Sequence, residues 1–292
     1  MPKFRLVVDS SCDLPREFYE KYNIGVTDLI VNFNERQYVD RKEITPEEIL
    51  KKYEESKVFP KTSALNIPEI ESMIQQELKE YDHIFYMPIS SFISSINNNA
   101  HLAVQDLGVE DKVTILDSYS LSSGIALEAI GICEDFKKNL SVEQIVKNHE
   151  ARLKKVSMSF CIQSMEFLHK GGRCSGLTYL LGNKFHIHPI IRLDEGKMGV
   201  HALVRGKDLG KALQKMIEEF KAEFEKDNID FSYPIMIPHV LGEYGVTRIE
   251  KELQELVGQT ILFPVDASGI ITCHCGRDTV GLAYMLKSPL NK

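Results

Sequence analysis

The chain has 292 residues, 43% of them hydrophobic and 26% charged, which is the balance of a globular protein and a length that holds about two domains. Its 35 Lys and Arg against 42 Asp and Glu leave a formal charge of −7, which argues against gripping nucleic acid through counterion release and against docking on anionic lipid heads. No apolar run reaches the roughly 18–20 residues of a bilayer span, so no stable membrane insertion is expected.

The first half alternates strand and helix patterns. Residues 4–8 form a β-rich run ending at Asp9, with no separate apolar region and cleavage site before it, so no signal peptide is expected. The turn Ser10-Ser11-Cys12-Asp13-Leu14-Pro15 leads into a short helix over 15–22, and 24–33 is predicted as one strand. Thr45, Pro46 and Glu48 occupy the N-cap, N1 and N3 positions of a helix start. A second helix covers about 68–81. Then come a strand at 83–87, a helix at 94–107, a strand at 113–116 and a long helix at 122–138. Ser141 and Gln144 form another capping box opening a helix to about 155. Short apolar strands between helices predict βαβ units and a mostly parallel sheet. Asp9-Ser10-Ser11, Pro88-Ile89-Ser90-Ser91 and Asp117-Ser118-Tyr119-Ser120 each follow a predicted strand, so all three turns should share the carboxyl rim of that sheet, where open α/β sheets bind ligands.

The second half reads differently. A strand over 158–162 precedes the turn Lys170-Gly171-Gly172-Arg173. Residues 187–193 and 198–204 flank Asp194-Glu195-Gly196-Lys197 and read as a β-hairpin. A helix over 207–226, a strand at 233–240, a helix at 245–256 and a strand at 260–265 follow. The hairpin predicts a mixed sheet. The fold class is therefore α/β, with an N-terminal α/β domain over 1–156 and a C-terminal α/β domain over 157–292.

Cys273-His274-Cys275 looks at first like a ligand cluster. In an extended segment His274 would point away from both cysteines, and the paired spacing of a zinc site is missing. All six cysteines are scattered, which suits reduced thiols in a cytoplasm better than a disulfide framework. There is no G-x-x-x-x-G-K-[ST], G-x-G-x-x-G or G-x-S-x-G, so neither a nucleotide loop nor a nucleophile elbow is supported, and no metal or cofactor is expected. What remains is a set of hydroxyls with one histidine: Thr62 and Ser63 in a turn before a helix, Ser90 to Ser95 in a strand-to-helix turn, and His274 in a loop. Uncharged donors of this kind hold a carboxylate without a buried cation. The same hydroxyls could equally serve as helix caps.

Six segments, in order along nearly the whole chain, resemble the DegV family. Asp9-Ser10-Ser11-Cys12-Asp13-Leu14-Pro15 is similar to its opening signature, and Lys61-Thr62-Ser63 to its T-S-Q-P segment. Ser90-Ser91-Phe92-Ile93-Ser94-Ser95-Ile96 opens a stretch similar to S-S-x-L-S-G-T. Asp117-Ser118 with Ser122 and Gly124 resembles D-S-x-x-x-S-x-G. Gly171-Gly172-Arg173-Cys174-Ser175 resembles G-G-R-I-S, and His188-Pro189-Ile190-Ile191 followed by Gly196 and Arg205 resembles K-P-I-L…G…R. The resemblance implies two α/β domains and a non-enzymatic carrier. It would hold a long-chain fatty acid in an internal tunnel and present it to a separate fatty acid kinase subunit.

Carried over by motif, the carboxylate would meet Thr62, Ser63, Ser94 and His274. Arg173 would contact the partner or fix its own loop, and Ser95, Arg205 and Arg277 would be accessory. This sequence departs from the family pattern at Ala64-Leu65, at Ser95-Ile96 and at Cys275-Gly276-Arg277-Asp278. Arg277 could add a cation beside the acid, pair with Asp278 or face solvent. The alternative reading is a small-molecule hydrolase or phosphoryl-transfer enzyme working on the same Ser/His rim. It would need His274 against Ser94 with a carboxylate behind the ring.

Overall fold

The computed structural model describes residues 2–174 and 186–290. The first half contains β1 (Phe4–Asp9), α1 (Arg16–Tyr22), β2 (Gly25–Thr27), β3 (Ile30–Phe33), β4 (Arg36–Val39), α2 (Pro46–Ser56), β5 (Lys61–Ser63), α3 (Ile67–Glu77), β6 (His83–Met87), α4 (Ile96–Leu107), β7 (Val113–Ile115), α5 (Ser123–Lys137) and α6 (Val142–Leu153). The second half contains β8 (Val156–Cys161), α7 (Glu166–Gly171), β9 (Ile187–Asp194), β10 (Lys197–Arg205), α8 (Gly210–Glu225), β11 (Ile235–Val240), α9 (Glu243–Val257), β12 (Leu262–Asp266), α10 (Gly269–Cys275) and β13 (Thr279–Met285).

Strands β2-β1-β6-β7 form a wholly parallel sheet, so their carboxyl ends share one rim as expected. Strands β10-β9-β8-β13-β11-β12 form a mixed sheet, parallel only between β11 and β12. The hairpin turn is the two residues Glu195 (φ 48°) and Gly196 (φ 82°), a primed turn that matches the twist of its strands. Capping boxes at Thr45/Glu48, Asn66/Glu69 and Ser141/Gln144 start α2, α3 and α6.

Four local expectations need correction. The run 24–33 is two strands in two sheets: β2 stays in the parallel sheet, while β3 pairs antiparallel with β4 and β5. The break is made at Leu29, whose N–H leaves the ladder to donate to Ser10 Oγ at 3.1 Å. The Cys273-His274-Cys275 run is neither extended nor a loop but the last turn of α10. Thr62 and Ser63 lie in β5 rather than in a turn. The apolar run β13, which sequence patterning leaves unassigned, is a central strand of the mixed sheet.

Helix α5 lies between the two large sheets, packing on β1 on one side and on β8 and β13 on the other. Twelve of its fifteen residues are buried, as a helix covered all round requires. That burial includes Glu128 and Asp135, which Arg152 and His149 of α6 pair with, leaving Glu128 Oε1 without a hydrogen bond among the described residues. His149 Nδ1 lies 3.0 Å from Glu128 Oε2, and Arg152 Nη1 donates to Asp135 Oδ2 at 2.6 Å. Gly131 keeps the guanidinium in place, because a Cβ there would sit 2.5 Å from Arg152 Nε. Arg152→Ala would leave two buried carboxylates without their cation. We expect a loss of about 3–5 kcal/mol in urea unfolding, against near-neutral behaviour if this cluster were solvated.

Candidate functional site

The rim of the parallel sheet is cross-linked by its own turns. Ser90 N donates to the Ser120 carbonyl at 3.0 Å, and Ser122 N to the Ser11 carbonyl at 3.0 Å. Against this rim the chain brings β5, the α7 turn and α10. Together they enclose a cavity of about 340 Å³, within the size range of small-molecule pockets. Its lining includes the apolar Ile89, Ile93, Leu121, Leu168, Met198 and Ile271 and the polar Thr62, Ser63, Ser94, Ser95, Arg173 and His274.

Each of the three principal hydroxyl oxygens is already engaged from behind. Ser63 Oγ accepts from Asn32 Nδ2 at 2.9 Å, and Ser94 Oγ accepts from Ile96 N at 3.3 Å. Thr62 Oγ1 lies 2.9 Å from His274 Nε2. With the Nε2–H tautomer, His274 donates to Thr62 as well. An oxygen that accepts from a neighbour still has its own O–H to give. In the Nε2–H tautomer none of these three O–H groups has an acceptor of its own among the described residues, so the site presents three hydroxyl donors; in the other, Thr62 donates to the ring and Ser63 and Ser94 remain.

His274 is a neutral ring. Burial first, and the Arg173 charge second, push its pKa down to about 4. Its Nδ1 is buried without a hydrogen-bond partner among the described residues and faces Gly171. A Cβ at Gly171 would stand 2.2 Å from that nitrogen, so the glycine gives the ring its place. Arg173 is exposed at the cavity edge, with Nη1 donating to the Gly171 carbonyl at 2.5 Å. It supplies the one cation among the described lining residues.

Two of the accessory residues are not among the described lining residues. Arg277 is exposed and pairs with Glu54 at 3.2 Å. Arg205 is exposed at the end of β10 and also lies outside the lining. Ser175 of the Gly-Gly-Arg segment lies outside the described residues.

Sequence reasoning missed the residues that build the site from beneath. Asp9, Asp13 and Asp40 are buried. Asp9 Oδ2 accepts from Ile89 N at 2.8 Å, Asp13 Oδ1 from Ser268 N at 2.8 Å and Asp40 Oδ1 from Gly269 N at 3.0 Å. Asp13 also accepts from Ser122 Oγ, and Asp40 from Ser10 Oγ at 2.7 Å. Burial pushes all three carboxyls up, Asp13 to about 7 and Asp40 to about 6. The clustered Asp and Ser of the opening segment were the available signal; Asp40 and Asn32 gave none.

The model of the DegV family, described as uncharacterised proteins of that family, matches residues 3–287. The chain belongs to the DegV family. A DegV domain-containing protein of Staphylococcus aureus is 30% identical over 288 residues, covering 98% of this chain and 100% of that protein. A Thermotoga maritima relative named a fatty acid-binding protein is 28% identical over 291 residues, covering 96% of each. A solved structure of a DegV family protein from Thermus thermophilus, described by its fatty acid binding, superposes with a TM-score of 0.88 at 27% identity. It covers 97% of this chain and 100% of that one. The DegV fold is thus shared over the whole length, both sheets included. Among the described residues no helix is long and apolar enough to cross a membrane.

The buried ring of His274 makes a signed prediction. The unfolded chain protonates it below about 6.5, and the folded chain only near 4. The unfolded state therefore binds more protons across that window, and this contribution to stability is lost as pH falls through it. Asp13 and Asp40 act in the opposite sense, since burial raises their folded pKa values above the usual carboxyl range. The difference between wild type and His274→Gln isolates the ring. In urea unfolding at pH 7.5 and 4.5, wild type should lose more stability on acidification than the variant. Equal pH dependence would contradict the assignment.

Proposed function

We propose that this protein binds one long-chain fatty acid, with the acyl chain in the apolar part of the cavity and the carboxylate on Thr62, Ser63 and Ser94, His274 holding Thr62 from behind. The observation that carries the reading is the set of three hydroxyls whose oxygens are engaged from behind and whose protons, with His274 as the Nε2–H tautomer, have no acceptor among the described residues. Such donors satisfy an anion at modest strength. Likeness to the Thermotoga maritima and Thermus thermophilus proteins supports the same ligand class.

Burying ~14 methylenes at ~0.8 kcal/mol each supplies roughly 11 kcal/mol gross, of which ordering the chain and losing its free motion remove a large part. The hydrocarbon thus provides most of the affinity, and the head group needs only moderate attraction. A head held by hydroxyls can be released to a second protein. We infer that this protein is a carrier in the cytoplasm that presents its fatty acid to a separate fatty acid kinase subunit. Arg173, exposed at the cavity edge, is the side chain we assign to that encounter. The division into units of 1–156 and 157–292 belongs to the same reading, both halves supplying residues to the cavity. Catalysis by the rim itself is disfavoured by the geometry. His274 bonds Thr62 rather than Ser94, and its second nitrogen faces Gly171 rather than a carboxylate.

Native mass spectrometry of protein purified without detergent tests the ligand. We expect a mass increment released on denaturation as a long-chain acid, or acquired on adding hexadecanoate. A bare mass under both conditions would overturn the reading. Ser94→Ala should weaken binding by about 1–2 kcal/mol through loss of one hydrogen bond. Arg173→Ala should alter hexadecanoate affinity by less than about 1 kcal/mol, as expected for an exposed charge, while lowering acyl phosphate formation when a kinase subunit and ATP are added. A collapse of affinity in that variant would place Arg173 in the binding site proper.

A further inference from the structure

Helix α10 carries His274 five residues after its first residue, Gly269, a rise of about 8 Å along the axis. It is a poor helix by local preference, with Ile270, Ile271 and Thr272 consecutive and β-branched. Its start is held from another part of the chain. Asp13, from the turn after β1, accepts from Ser268 N, and Asp40, from the residue after β4, accepts from Gly269 N. Gly269 is needed for this grip: a Cβ there would lie 2.4 Å from Asp40 Oδ1 and 2.8 Å from Ile49 Cδ1. Both carboxylates are anchored in turn, Asp13 by Ser122 Oγ and Asp40 by Ser10 Oγ. Neither is itself a lining residue of the cavity.

We propose that Asp13 and Asp40 are positioning residues for the head-group site, setting the depth and rotation of α10 and through it the reach of His274 to Thr62. The inference rests on the acid-binding reading above. The two consecutive amides are fixed by two carboxylates from separate segments, so the helix can neither slide along its axis nor turn about it without breaking one bond. At the far end the ring has little tolerance, with Gly171 on one side and Thr62 at 2.9 Å on the other. A small displacement at Gly269 is therefore felt at the imidazole. The hydrocarbon wall contributed by α10, Ile270 and Ile271, is shaped by packing and depends less on such a shift.

The test measures binding of hexadecanoate and of hexadecanol, which share the chain and differ in the head group. Asp40→Ala should weaken hexadecanoate about tenfold and leave hexadecanol within about twofold. Asp40→Asn, which keeps an acceptor for Gly269 N, should restore most of the loss. In a His274→Ala background, Asp40→Ala should cause no further loss for hexadecanoate, because the two act through one contact. If Asp40→Ala does not fold, Gly269→Ala displaces the same bond while keeping the carboxylate, and it carries the same expectations. Equal loss for acid and alcohol, or full additivity with His274→Ala, would overturn the positioning role while leaving the acid-binding reading intact. Wild-type protein that takes up neither compound would overturn both.

Discussion

Asp9, Asp13 and Asp40 are buried carboxyl groups with no ion pair among the described residues, and each is satisfied instead by hydroxyls and backbone amides from distant segments. Leaving any of these oxygens unpaired in an apolar interior would cost about 1–3 kcal/mol or more. That constraint ties the first turn of the chain to residues 89, 122, 268 and 269, which follow β6 and begin α5 and α10. The segment Asp9-Ser10-Ser11-Cys12-Asp13 is thus a hub that joins the carboxyl rim of the parallel sheet to the helix bearing His274.

Above this hub the site is built by omission as much as by contact. Gly171 and Gly269 are places where a single added carbon would collide with the His274 ring or the Asp40 carboxylate. Gly196 plays the same part in the hairpin: its carbonyl accepts from Ser90 Oγ at 2.7 Å, and a Cβ there would meet Tyr119 at 2.6 Å. These close approaches let the second half of the chain press onto the rim of the first and enclose an apolar space. Among the described residues, the polar wall left facing that space is uncharged apart from exposed Arg173. A buried cation would hold a carboxylate tightly and carry its own desolvation cost. Hydroxyl donors fixed by Asn32, Ile96 and His274 hold it moderately, which suits a ligand that must leave again.

Much of this was legible beforehand. The capping boxes at Thr45 and Ser141, the hairpin at Glu195-Gly196 and the shared rim of three strand ends follow from short-range chemistry that the sequence displays. Motif order brought together Thr62, Ser63, Ser94 and His274, which lie more than 200 residues apart at the extremes. The structure adds Ser95 and Arg173 to the same wall and sets Arg205 and Arg277 apart. Helix α10 was not legible, because three consecutive β-branched residues and a Cys-His-Cys run favour an extended reading; burial and the two aspartates override local preference there. The split of 24–33 into two strands was hidden for a similar reason. It depends on Leu29 N finding Ser10 Oγ, a contact set by tertiary structure rather than by periodicity.

The central claim is that an acid head group rests on three hydroxyls backed by Asn32, Ile96 and His274. A crystal structure of the protein grown with hexadecanoate tests it most directly. The account predicts continuous density for an unbranched chain along the wall of Ile89, Leu121 and Ile271, ending in a carboxylate within hydrogen-bond reach of Thr62, Ser63 and Ser94. A ligand bound with its carboxylate away from these residues, or a cavity that stays empty at saturating hexadecanoate, would contradict it.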